Sequence, residues 1–229
     1  MDYRLLTVSR EFGSGGGRIA KTVAESLGWK LLDRELIEAI ACAGHVDTKI
    51  VRRFDEHVES WLGRMNRDAM RGAAMAAGVV PDKNGCFDPD VMTELTRQIV
   101  EQAYVDGNCV IVGRGAACIL QKKPDAFHVF VYAPFEDRVR RLQTRLGPGV
   151  NIEDRIRNVD SERARYLRQR FSKEWNNPHL YDLMISSHPD EDATARVILY
   201  AMGGRDSADS GPGHALPGIT APPAQRRED

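Results

Sequence analysis

Ser9-Arg10-Glu11-Phe12-Gly13-Ser14-Gly15-Gly16-Gly17-Arg18-Ile19-Ala20-Lys21 follows directly on the apolar run Leu5-Leu6-Thr7-Val8. The order is that of a strand, a glycine-rich turn and a helix start. Glycine lets a backbone approach a phosphate closely, and the unpaired N–H groups at a helix start attract negative charge. The full phosphate-loop pattern, G-x-x-x-x-G-K-[ST], sets a lysine on the β and γ phosphates and a hydroxyl on magnesium. Aligned to that pattern, Arg10 stands at the first glycine, Gly16 at the lysine and Gly17 at the serine or threonine. The strict pattern fails. Two readings stay open: an ordinary strand-to-helix turn, and a phosphate cradle in which another cation replaces the lysine. Three consecutive glycines at a helix start are costly unless something approaches them closely, which favours the cradle. Arg18 and Lys21 are the candidate replacements, and Arg18 is the nearer. On this reading Gly13, Ser14, Gly15, Gly16, Gly17 and Arg18 form a donor-phosphate site.

Outward from the turn, the pattern continues as strands and helices in alternation. Ile19, Val23 and Leu27 have helical spacing over Gly17–Leu27, with Gly28 as a C-cap and Trp29–Leu32 as a second strand ending at Asp33. Residues 35 to about 75 read as mainly helical, and Pro81, Asn84-Gly85 and Pro89 punctuate a loop over 78–89. Helix resumes at Asp90, a possible N-cap, and runs past Tyr104. Asn108–Val112, Ala126–Tyr132 and Asp182–Ser186 read as three further strands. Near-continuous apolar strands separated by helices predict an α/β fold, a central parallel five-stranded sheet with helices on both faces. From 203 to 229 the composition turns to Gly, Pro, Ser, Asp and Ala, the signature of a disordered tail. Residues 1–202 are expected to form one domain.

Bulk properties exclude several classes. The 229 residues carry a formal net charge of -1, so no global field favours nucleic acid or an anionic membrane. No apolar run is long enough to span a bilayer, and the N-terminus enters a strand without a signal-peptide pattern. Cys42, Cys86, Cys109 and Cys118 lack metal-type spacing and read as reduced thiols. The six histidines form no metal spacing either, so no metal ligand is assigned. The expectation is a cytoplasmic protein without nucleic-acid or membrane partners.

Three segments together carry a resemblance. Ser9–Gly16, Asp33-Arg34-Glu35-Leu36-Ile37 and Val110-Ile111-Val112-Gly113-Arg114-Gly115-Ala116 resemble the cytidylate kinase-like family, a divergent branch of the nucleoside monophosphate kinases. The resemblance covers about residues 3 to 200. It implies a P-loop kinase fold with a helical acceptor-binding insertion (about 34–107) and an arginine-rich lid (about 150–180). It also implies ATP with Mg2+ as the donor and a small phosphorylated acceptor, CMP or dCMP. Orthodox cytidylate kinases end their loop in Gly-Ser-Gly-Lys-Gly-Thr, where this chain has Gly13 to Arg18.

Other candidates take their place around the loop. Arg114 follows an apolar strand between two glycines, where a guanidinium can hold a monophosphate bidentately. By resemblance the matching arginine binds the acceptor nucleotide; the aspartate that follows it in orthodox enzymes is Gly115 here. A surface arginine in a turn is the alternative. Asp33 ends the second strand and reads equally as an acceptor-side carboxylate or as the N-cap of a helix starting at Arg34. Arg157, Asp160 and Arg163 are spaced three apart and read as one helix face, against the alternative of a solvated charged helix. By resemblance they match an Arg…Asp…Arg lid cluster that stabilises the moving phosphoryl charge. The Glu136–Val139 segment reads as structural. Arg52, Arg53, Arg64, Arg67 and Arg71 suggest acceptor contact or packing between subunits of a homo-oligomer.

Three functions are consistent with this set. The first is an ATP-dependent nucleoside monophosphate kinase. The second keeps the fold and phosphorylates another small metabolite. The third is a non-catalytic nucleotide-binding regulatory protein that has lost the loop lysine.

Overall fold

The structure is a computed structural model, and it describes residues 3–33, 89–147, 149, 151–188 and 190–203. β1 (Leu5–Arg10) leads through the glycine turn into α1 (Gly16–Leu27) and then β2 (Lys30–Leu32). After the undescribed stretch come α2 (Pro89–Asp106), β3 (Cys109–Val112), the single-turn α3 (Ala116–Ile119) and β4 (Ala126–Tyr132). α4 (Phe135–Leu146), α5 (Ile152–Phe171), a 3-10 turn (Pro178–Leu180), β5 (Leu183–Ser186) and α6 (Glu191–Ala201) complete the order.

The sheet has the order β2-β3-β1-β4-β5, and every strand pair is parallel. Leu5 is in register with Cys109 on one side and Ala126 on the other, so β1 is the central strand. Leu5–Val8, Cys109–Val112 and Ala126–Val131 are all buried. Such unbroken apolar strands require cover on both faces. Alternate side chains supply it. Leu6, Val8, Val110, Val112, Val129 and Val131 pack with Ile19 and Val23 of α1 and Ile198 of α6. On the opposite face Phe130 packs with Ala117 of α3, Leu167 of α5, Leu180 and Tyr181. Leu142, Ile152 and Ile156 bind α4 to α5 and enclose Phe12 of the glycine turn.

Several expected boundaries move by a residue or two. Pro89, whose ring presets a helical φ, opens α2, so Asp90 lies in its first turn and does not cap it. Asn108 has φ +50°, which keeps it out of β3. Asp182 precedes β5; its carboxylate accepts the His128 N–H at 2.7 Å and its own N–H reaches the His128 carbonyl. Gly28 caps α1 as expected, with φ +64° and its N–H on the Ala24 and Glu25 carbonyls. The expected helix over 35–75, the loop over 78–88, Arg34, the basic residues between 52 and 71, Cys42, Cys86 and the tail from 204 lie outside the described residues.

Candidate phosphate-binding site

In a parallel sheet of this kind, ligands bind beyond the carboxyl ends of the strands where the connections diverge. Here the chain leaves β1 for β2 on one side and later crosses to β4 on the other. The glycine turn and Arg114 both sit at that edge.

The turn is stitched in place from several sides. The Ser14 side chain is fully buried, and its hydroxyl donates to the Glu11 carbonyl at 2.9 Å. The Ser14 carbonyl accepts from Ser187 Oγ at 2.6 Å and from Arg141 Nη1 at 3.1 Å. The Glu11 carboxylate accepts the Ala133 N–H at 3.1 Å, tying the turn to the end of β4. Asp160 reaches over from α5: one carboxylate oxygen accepts the Phe12 N–H at 2.8 Å and the other lies 2.5 Å from Arg138 Nη1. Gly15 ends the turn at φ +78° and starts α1 with no side-chain cap hydrogen bond and no acidic residue in its first turn, while the Glu191 carboxylate of α6 packs against Gly15 from the side. Backbone N–H groups at such a start suit an anion.

Beside the turn lies a cavity of about 240 Å³ between the ends of β1 and β3. Arg10, Gly113, Arg114, Glu162, Arg163 and Tyr166 line it. Arg114 sits at φ +57° between two glycines that are also left-handed, a conformation costly for a non-glycine residue. The turn holds the arginine up at the sheet edge. Arg163 Nη1 donates to the Arg10 carbonyl at 2.8 Å and lies 3.5 Å from Asp160. A second cavity of about 290 Å³ adjoins it, sharing Arg114, Glu162 and Tyr166 and adding Thr93, Thr96, Arg165 and Arg170. Burial raises the Tyr166 phenol pKa, and Arg114 opposes that shift. Three hydroxyl-bearing side chains and several guanidiniums in one concavity suit a small, polar, anionic ligand.

The expected site residues divide. Arg114 and Arg163 line the first cavity, and Asp160 lies 3.5 Å from Arg163 without lining it; Gly13–Gly17 line neither cavity and approach the first through Gly16, against the Arg10 stem. Arg18 does not line the cavities: its side chain is 79% exposed and its Nε pairs with Glu191 at 3.3 Å. Arg157 pairs with Glu153 and Asp154 and stacks over the Phe135 ring, again away from both cavities. The expected single face fails on helix geometry. At 3.6 residues per turn, positions six apart are rotated by about 120°, so Arg157 and Arg163 flank Asp160 on different sides. Asp33 follows β2 and lines neither cavity; its N-cap alternative depends on residues outside those described.

Sequence reasoning missed Arg10, Glu162, Tyr166 and Arg138. Val159, Glu162, Arg163, Tyr166 and Arg170 form an i, i+3, i+4, i+7, i+11 stripe on α5, a signal present in the sequence. Arg138 carried no such signal. It is buried beneath the turn, with Nε 3.5 Å from Glu11 and Nη1 on Asp160, so the segment read as merely structural fastens the loop to α5.

The described residues contain no group of three or more His, Cys, Asp or Glu that could hold a metal. No helix among them is long and apolar enough to cross a membrane. Cys109 is a buried free thiol, its pKa pushed up by burial to about 12, and Cys118 is raised to about 11 by the same cause.

The family model described as cytidylate kinase-like matches residues 5–189. Among solved structures, an uncharacterized protein from Eubacterium ventriosum ATCC 27560 is similar at 20% identity and a TM-score of 0.62. That alignment covers 88% of this chain and 99% of the other, and the likeness is one of fold. A gluconokinase from Sinorhizobium meliloti 1021 aligns at 12% identity over 88% of this chain and 93% of its own, with a TM-score of 0.49. No curated protein matches the sequence.

Proposed function

The chain belongs to the cytidylate kinase-like family, and on that premise we propose that it is an ATP-dependent phosphotransferase. Its acceptor is a small phosphorylated molecule, with CMP or dCMP favoured. One observation carries the reading: Arg10, Arg114 and Arg163 line a single cavity beside an uncapped glycine-rich helix start. In this reading the N–H groups of Gly15–Gly17 take the donor phosphates. Arg114 holds the acceptor phosphate, and its forked geometry orients that phosphate for in-line attack. Arg163, positioned by Asp160 and by the Arg10 carbonyl, offsets the charge that spreads over the transferred oxygens. ATP supplies the phosphoryl group. Neither Gly17 nor Arg18, the two places where the general pattern and the orthodox loop carry a hydroxyl, supplies one, so the ion would be held by the nucleotide's own phosphates and by water.

A second acceptor class has an observation in its favour. Gly115 replaces the aspartate that helps orthodox enzymes recognise sugar or base, and the adjoining cavity is lined by threonines, Glu162 and arginines. A hydroxylated or phosphorylated metabolite would fit that lining. ATP consumption across nucleoside monophosphates and small phosphorylated metabolites separates the readings. We expect turnover of CMP or dCMP, with Arg114→Ala raising the acceptor KM by about ten- to a hundredfold. Selective turnover of a non-nucleotide would establish the second class. ATP binding without turnover on any acceptor would refute the enzyme.

A further inference from the structure

We infer that Arg10 supplies the phosphate-binding cation that the loop lacks at Gly16, an assignment that rests on the phosphotransferase reading above. A β-carbon built on Gly16 would lie 2.6 Å from Arg10 Cβ and 3.0 Å from Arg10 Cγ. β-Carbons do not make such contacts. The stem of Arg10 therefore fills the space through which a lysine at position 16 would leave the helix. The far end of the same side chain reaches the turn after β3: a β-carbon on Gly113 would collide with Arg10 Nη1 and lie 3.2 Å from its Cζ. Arg10 thus spans from the first residue of α1 to the turn after β3, along the wall of the cavity that Arg114 and Arg163 also line. Its main chain is held as well, in register with Val131 of β4 and with its carbonyl on Arg163.

The guanidinium itself stands at the turn after β3, a side-chain length from Gly16, so the far phosphates of a phosphate chain that starts at α1 and runs into the cavity would meet it there. A guanidinium keeps its charge at all relevant pH and holds two oxygens at once. Arg18 cannot take that place. Two residues along a helix is a rotation of about 200°, which turns it away from Gly16 toward Glu191. The same geometry accounts for Gly16: it is small because Arg10 crosses it. Arginine at position 10 and glycine at position 16 are two parts of one arrangement.

Calorimetric binding of a non-hydrolysable ATP analogue to the full chain, beside adenosine as a phosphate-free control, tests the assignment. Arg10→Gln keeps most of the stem and should weaken triphosphate binding by about tenfold or more. Adenosine binding should stay within about twofold, and Arg18→Gln should leave both ligands within about twofold. Arg10→Lys, which retains the charge, should bind the triphosphate more tightly than Arg10→Gln. Gly16→Lys alone should lower the thermal midpoint, whereas Gly16→Lys with Arg10→Gly should fold and bind the triphosphate again. Parent-like binding by Arg10→Gln would overturn the assignment. So would a larger loss in Arg18→Gln, equal losses in Arg10→Lys and Arg10→Gln, or Gly16→Lys tolerated equally in both backgrounds. A parent chain that binds no triphosphate would instead overturn the phosphotransferase reading, and this assignment with it.

Discussion

Replacing Asp160 with alanine should loosen the glycine turn from the helix beneath it. The side chain is only 16% exposed, and its two oxygens serve the Phe12 N–H at 2.8 Å and Arg138 Nη1 at 2.5 Å, with Arg163 at 3.5 Å. Alanine leaves Arg138, itself 10% exposed at the side chain, with only the longer 3.5 Å contact to Glu11 as an ion pair. Removing one partner of a buried pair costs about 3–5 kcal/mol, because the other charge stays buried. Partial exposure and the remaining Glu11 contact reduce that to about 2–4 kcal/mol, including the stranded Phe12 N–H. For a domain of this size, about 3 kcal/mol corresponds to a fall in Tm of about 6–12 °C. Asp160→Asn keeps one acceptor oxygen and should lose about half as much. Urea unfolding of Asp160→Ala, Arg138→Met and the double variant gives the coupling. The double variant should cost less than the sum of the singles by about 1–3 kcal/mol. A Tm shift below about 1 °C with a large loss of phosphotransfer would refute this reasoning. It would mean that the carboxylate faces ligand and does not anchor the turn.

Two further outcomes follow from the packing. A β-carbon at Gly115 would collide with the Phe171 ring, at a φ of +70°, so Gly115→Ala should destabilise by about 2–4 kcal/mol in urea; an unchanged midpoint would show that the ring yields freely. His128 is buried with Nδ1 2.7 Å from Thr7 Oγ1, and burial lowers its pKa from the ordinary 6.5. Below about pH 6.5 the unfolded chain takes up a proton that the folded chain refuses. Stability from this site is therefore full above that pH and falls on acidification, by up to about 1.4 kcal/mol per pH unit until the folded pKa is reached. Urea midpoints at pH 7.5 and 5.5 should converge in His128→Gln relative to the parent, and an unaltered gap would remove His128 as the cause.

The element order was legible because it is written in local chemistry. Unbroken apolar runs at Leu5–Val8 and Cys109–Val112 can be satisfied only by burial on both faces, and glycines at 13, 15 and 28 mark the turns. Strand ends were less legible. Asn108 and Asp182 read as strand residues, yet a left-handed backbone and a side-chain bond to His128 place them outside. The candidate site was legible in part. Arg114 stood out through its flanking glycines, and Arg163 through its helix. Arg138 and Arg10 did not, because nothing next to them in the chain announces a partner.

By itself, then, the sequence determined the alternation of strands and helices, the glycine turn and the arginine-rich helix that packs beside it. Periodicity and backbone preference act over a few residues, and those few residues suffice. Which arginines meet was decided only by tertiary structure. The order β2-β3-β1-β4-β5 sets the end of β1 beside the end of β3, so that Arg10 crosses Gly16 to reach Gly113. The rotation of α5 turns Arg163 inward and leaves Arg157 with its own acidic neighbours. A convergent set of cations depends on distances across the sheet, and no local pattern encodes them.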